Sequence, residues 1–190
     1  MSRLWIYFIY LFLSWGSFRY FVKLPEVVEE LWFKPMIWLI PIFWWNLALK
    51  KKVVMFENSW VETSSLGLGV SLFYWFVFSQ FRIPIIGWGM VGVAVATAVV
   101  EELTFTGFVS GYLERFARGS EWNLVVTGLM SGIMRLPIAT FVYHLSPTAT
   151  LGVFLLAVST TMIHSWIRQR TGNVAGGIIA RVGLNLAILG

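Results

Sequence analysis

Apolar stretches separated by short charged or glycine-containing breaks run the length of the chain, at residues 4–22, 32–49, 66–81, 93–116, 122–143, 148–167 and 174–189. A hydrocarbon core about 30 Å thick is crossed by about 20 helical residues. Each stretch therefore reads as a membrane span, and the fold class as an all-α, polytopic helical bundle of about seven spans. Between the first two, Leu24, Val27, Val28, Leu31 and Trp32 recur at helical spacing while Glu26, Glu29 and Glu30 take the other face. That pattern predicts one interfacial amphipathic helix, with Pro25 in its first turn. Lys50, Lys51 and Lys52 end the second span in water, and residues 53–65 are polar enough for a loop. From Ile83 to Arg118 the chain stays apolar for 36 residues, about 54 Å as one helix. Gly87, Gly89 and Gly92 mark the expected break, leaving a helix over 93–116.

Composition sharpens this picture. The 190 residues are 58% hydrophobic, 17% aromatic and 12% charged, with no Cys, and all nine acidic residues are Glu. Soluble domains carry about a quarter charged residues, so an ordinary cytosolic enzyme, a disordered tail and a binder of acidic substrates are excluded. The net charge of +5 does not point to nucleic acid, because the basic residues stand singly or at span ends and form no stripe. The first span lacks a small-residue cleavage site and reads as retained. Arg3, the three lysines, Arg115, Arg118, Arg168 and Arg170 fall on one side of the scheme; only Lys23, Lys34 and Arg82 fall on the other. The positive-inside rule then places the N-terminus in the cytoplasm. Two regions are expected: aromatic-rich spans with the amphipathic segment over 1–82, and a helical core over 83–190.

The informative residues are ionisable groups inside the spans, each costing about 2.5 to 3.5 kcal/mol at a helix centre unless it is partnered. Arg19 is near enough to a span end to reach the interface and is given no role. Glu101, Glu102, Arg135 and Arg181 lie near the middle of three spans and sum to zero charge.

Around these residues the chain resembles the CPBP intramembrane proteases, the family of the CAAX prenyl endopeptidases and the Abi bacteriocin-immunity proteins. Glu101-Glu102-Leu103-Thr104-Phe105-Thr106-Gly107 looks like the first motif, in which a Glu pair is followed by Phe-Arg-Gly. Ser131-Gly132-Ile133-Met134-Arg135-Leu136-Pro137 stands where the family has Phe and, four residues on, His. Arg170-Thr171-Gly172-Asn173 and the run from Gly177 to Asn185 resemble the final motif, a Thr-Gly turn opening a helix that bears His and then Asn. The likeness covers about residues 90–190. It implies a site in which a Glu and the middle His activate water while the last His and Asn bind the oxyanion.

This chain departs from that pattern at the chemistry. It keeps Glu101, Glu102 and Asn185, but has Thr106 for the motif Arg, Ser131 for Phe, and Arg135 and Arg181 for the two His. A general base must release and regain a proton near working pH, and Arg does neither. Guanidinium is also no metal ligand, so no metal is expected, and no cofactor. Glu101, Glu102, Arg135 and Arg181 are instead expected to form a salt-bridge cluster, with Glu101, Glu102 and Asn185 a vestigial catalytic set. An alternative alignment uses His144 as the middle His. His164 has no acidic neighbour in its own span and reads as a boundary histidine without a role.

The expected function is a catalytically inactive relative acting as a binding, assembly or scaffolding subunit. Its expected partners are other integral membrane proteins, with lipids, in a bacterial plasma membrane or an internal membrane derived from one. The alternatives are an active glutamic intramembrane protease using Glu101 and His144, and a small transporter. A His facing Glu101 would keep catalysis open; an Arg would close it.

Overall fold

The computed structural model describes residues 2–22, 24–49, 51–57, 59–79, 87–116 and 120–189. The expectations stated above for Lys23, Lys50, Phe81, Arg82, Ile83 and Arg118 fall outside them. No strand occurs among the described residues, and helix makes up 86%. Seven helices follow one another: α1 (Ser2–Phe21), α2 (residues 26–48), α3 (Trp60–Ser79), α4 (Trp88–Leu113), α5 (Glu121–Val142), α6 (Pro147–Thr171) and α7 (Ala175–Leu189). Four of these, α3 to α6, are long and apolar enough to cross a membrane, and Ala175–Ile188 is a shorter apolar helix. The expected all-α membrane bundle is what the described residues form, with the helix expected to stand apart at the interface merged into α2, and the protein is integral to a membrane.

Three boundaries differ from expectation, the first being that α3 already starts at Trp60, inside the loop expected over residues 53–65. Helix α4 starts at Trp88, not Val93, so Gly89 and Gly92 sit inside it. The segment expected to lie in the interface is the first part of α2, continuous with the second span through a π-helical stretch, Glu29–Phe33. Two of its three acidic residues point inward: Glu29 and Glu30 are buried, whereas Glu26, Val27, Leu31 and Trp32 are exposed. The segment is amphipathic, but in a bundle bathed by lipid the apolar face is the outer one.

Local chemistry fixes the helix ends. Ser120 and Ser146 cap α5 and α6 by accepting from the backbone N–H of Trp122 and Ala149. Pro147 takes the first turn of α6, and Gly172, at φ 70°, ends it in the left-handed region that glycine reaches without strain. Asn173 then accepts from Ala175 N–H at 2.9 Å to open α7 and donates to the Glu57 carbonyl at 2.8 Å. The segment before α3 is thereby clamped: Asn46 brackets Val53 N–H and C=O, Arg168 donates to Val54 C=O at 3.0 Å, and Val174 N–H donates to Met55 C=O at 2.9 Å.

Packing ties both expected regions together. Tyr7, Leu11 and Trp15 of α1, Trp38 and Ile42 of α2 and Phe105, Phe108 and Val109 of α4 form one core. Its rings meet edge to face, as at Trp38 and Phe105 (5.8 Å, 89°) and Tyr7 and Phe108 (5.5 Å, 80°). Helix α3 lies on α7, and Gly67 faces Gly176 so closely that a Cβ at 67 would stand 2.5 Å from the Gly176 carbonyl oxygen. Small residues at such crossings let membrane helices approach to backbone contact.

Candidate functional site

Glu101 and Glu102 end the regular part of α4, immediately before a π-helical stretch, Leu103–Ser110. Neighbouring positions on a helix point about 100° apart, so the two carboxylates serve different sides of the bundle. Glu101 turns toward α2 and α5, and Glu102 toward α6. Both are buried.

Each oxygen of Glu101 is held by a cation. Oε1 accepts from Lys34 Nζ at 2.8 Å, and Oε2 accepts from Arg135 and, at 3.2 Å, from Arg181. Glu102 accepts through Oε1 from Arg181 Nε and His164 Nδ1, the latter at 2.7 Å, and through Oε2 from the Thr106 hydroxyl at 2.5 Å. Arg181 also donates to Thr161 Oγ1 at 3.0 Å. Glu101, Glu102, Arg135 and Arg181 thus meet in one cluster, and the Thr106 that replaces the motif Arg is itself a ligand of Glu102.

Lys34 carries the cluster further. It also donates to Glu30 at 2.6 Å, Glu30 accepts from Thr97 at 2.8 Å, and Arg19 pairs with Glu29 while donating to Tyr143 Oη at 2.8 Å. Four Glu (29, 30, 101 and 102) and four fixed cations (Arg19, Lys34, Arg135 and Arg181) form one chain of contacts across the interior. Arg19, expected to reach the interface without a role, is buried in this network. Lys34, counted above as an outer-side charge, is 2% exposed at its centre. The charged ends of both stand over the Trp15 ring, 5.9 Å from its centroid.

His164 is the largest correction. It is fully buried, with Nδ1 on Glu102 and Nε2 3.1 Å from Tyr74 Oη. Ionised Glu102 has only lone pairs to offer, so Nδ1 carries the proton. The reading of a boundary histidine failed because its acid lies on another helix. A signal was present: Thr160, Thr161, His164, Ser165 and Arg168 make a polar stripe along one face of apolar α6, and all five are buried. His144, by contrast, is exposed in the turn after α5, at φ 50°, and touches neither Glu101 nor Glu102. Asn185 donates to the Ala94 carbonyl at 3.0 Å.

A cavity of about 190 Å³ opens beside Glu101, lined by Arg19, Glu26, Glu30, Lys34, Thr97, Arg135, Tyr143 and Asn185 together with apolar walls. Arg135 is the accessible member of the cluster, its side chain 34% exposed. Glu102 and His164 do not line the cavity. Gly177 closes that side: a Cβ there would stand 2.6 Å from Glu102 Oε2 and 3.2 Å from His164 Cβ. Among the described residues, no three His, Cys, Asp or Glu side chains gather as a metal ion would require.

Glu pair, middle segment and Thr-Gly-opened helix thus converge on one site, and the family model described as "Type II CAAX prenyl endopeptidase Rce1-like" matches residues 71–187, more than half of the chain. The chain belongs to that family. The match begins in α3, about twenty residues before the resemblance read from the motifs alone. No curated protein and no solved structure matches the chain.

Proposed function

We propose that this family member has lost hydrolysis and that its former active centre is a structural ion-pair core, the chain serving as a binding or assembly subunit for other integral membrane proteins. The observation that carries the reading is the environment of Glu101. Lys34, Arg135 and Arg181 take both of its oxygens, and a carboxylate held by three cations is a poor base for water. The two arginines cannot exchange protons in its place.

A second reading rests on Glu102 and His164, an acid and an imidazole 2.7 Å apart. Against it, both side chains are wholly buried and neither faces the cavity, so a hydrolytic water and a scissile carbonyl have no place beside them. A binding role draws support from the exposed aromatic rings of α1 and α2, including Trp5, Trp32 and Trp44. The helices alternate in direction, which gathers the 51–57 segment, Glu114 and Arg168 at the end where α1 begins. We read that end as cytoplasmic, in a bacterial membrane.

The test is Glu101→Gln in purified protein, read for both stability and cleavage of isoprenylated peptides ending in a CAAX sequence. The expected result is no cleavage by either form and a less stable variant. Cleavage by the unmodified chain, lost in a variant of unchanged stability, would overturn the proposal.

A further inference from the structure

Positive charge gathers at one corner of the bundle, where α1 begins and α2 and α4 end. Arg3, Leu49 and Tyr112 line the same small gap there, and the Arg115 guanidinium stands 5.4 Å from the centroid of the Tyr112 ring. The 51–57 segment brings two more cations to this corner. Met55 lies against Gly107 and Val53 against Gly111, so two residues of the segment advance with four of α4. Two extended residues span about 6.6 Å and four helical residues about 6 Å, and one further step of that register brings Lys51 level with Arg115. Lys52 lies between Lys51 and Val53. Arg3, Lys51 and Lys52 are exposed and Arg115 is half-buried. None of the four has an ion pair to a described residue. Glu114, the acid beside them, is taken by Arg168 at 2.7 Å.

Orientation in the membrane does not account for this crowding. The positive-inside bias counts basic residues loop by loop and is indifferent to how the loops fold against one another, whereas here charges from three separate segments share one corner. Elsewhere at the same end the described charges are Arg170, paired with Glu62 at 3.5 Å, and the acidic Glu57 and Glu121. Four like charges closer together than the screening length of about 8 to 10 Å repel one another, and an anion seated among them relieves that repulsion. One singly charged phosphate would leave most of it in place; two phosphates on one head would halve it. The surroundings point to a lipid as their carrier. Trp5 in the first turn of α1, and Trp44 and Leu47 near the end of α2, are exposed just below the cations, where acyl chains run while the head sits among Lys and Arg at the membrane surface.

We propose that the corner formed by Arg3, Lys51, Lys52 and Arg115 binds an anionic phospholipid whose head carries two phosphates, with its acyl chains against the exposed aromatic and apolar side chains of α1 and α2. The assignment is independent of the chemistry at Glu101, since none of these four residues touches the Glu pair.

Native mass spectrometry of the full chain tests it, in phosphatidylcholine micelles doped with cardiolipin, with phosphatidylglycerol at matched phosphate, or with inorganic pyrophosphate. One cation near an anionic surface is worth about fivefold in retention, so cardiolipin should be retained over phosphatidylglycerol by about fivefold or more. Pyrophosphate should not be retained. Arg3→Gln and Lys52→Gln should each lower cardiolipin retention about fivefold, and the two together about 25-fold; both residues are exposed, so the variants keep the fold. Arg170→Gln removes a cation from the same end but outside the corner, and should change retention by less than about twofold. Equal retention of the two anionic lipids would overturn the two-phosphate head. A loss in Arg170→Gln as large as that in Arg3→Gln would reduce the attraction to bulk charge and overturn the site, and pyrophosphate held as well as cardiolipin would overturn the lipid.

Discussion

Truncating Arg181 removes the one residue, among those described, that touches both carboxylates of the Glu pair. Its side chain is 3% exposed and gives Nε to Glu102, Nη1 to Glu101 and Nη2 to Thr161. Breaking one side of a buried ion pair costs about 3 to 5 kcal/mol, and Arg181→Ala takes the eight-charge network from zero to −1. The cost should fall at the low end, about 3 kcal/mol, because Glu101 keeps Lys34 and Arg135 while Glu102 keeps His164 and Thr106. Charge, not contact, is what is lost, so a second change that removes one negative charge should restore most of the stability. Glu102→Gln does this while leaving an amide to meet His164 and Thr106. Arg181→Met combined with Glu102→Gln separates the charge from the volume and should lie closest to the unmodified chain. Reversible unfolding in mixed micelles, read as a double-mutant cycle, gives the coupling directly. The reasoning is refuted if Arg181→Ala lies within about 0.5 kcal/mol of the unmodified chain, the spread of ordinary surface changes. It is equally refuted if the double variant is as unstable as the two single losses added together.

Three further outcomes follow from the same geometry. His164→Ala should destabilise by about 1 to 3 kcal/mol, since it strands Tyr74 Oη in the interior and leaves Glu102 Oε1 with Arg181 alone; unfolding in detergent measures it. Gly177→Ala should cost about 1 to 3 kcal/mol by overpacking, because its Cβ would meet Glu102 Oε2 at 2.6 Å, and the same assay reads it. Arg170→Ala should change stability by less than about 1 kcal/mol, since its pair with Glu62, at 3.5 Å, is more than half exposed on both sides; its small effect should fade further in high salt, whereas that of Arg181→Ala should not.

What the sequence shows, and what it hides, divides along physical lines. Hydrophobic periodicity is a property of each segment by itself, so the seven helices and the depth of Glu101, Arg135 and Arg181 could be read from it. The partners of a buried charge are a property of several segments together. The cluster reads as four residues because only four charges stand near the middle of long apolar runs, and Lys34 lies beside Pro35 in what looks like an interfacial helix. Tilting that helix into the bundle turns Glu29, Glu30 and Lys34 inward. Its three acidic residues on one face held the clue, because an acidic face has no reason to meet lipid.

The enlarged network also constrains the chemistry that the family fold can support. With four Glu against four fixed cations, the interior is neutral only as long as every member is present. A histidine restored at 135 would remove the cation from Glu101 Oε2 on the cavity side, leaving a carboxylate that Lys34 and Arg181 still hold. That single change unbalances the charge without freeing a base. Freeing Glu101 for proton transfer would require the loss of Lys34 or Arg181 as well, and each also supports a second carboxylate, Glu30 or Glu102. On the non-hydrolytic reading proposed above, hydrolysis is therefore separated from this site by several coupled changes, each expected to destabilise when made alone.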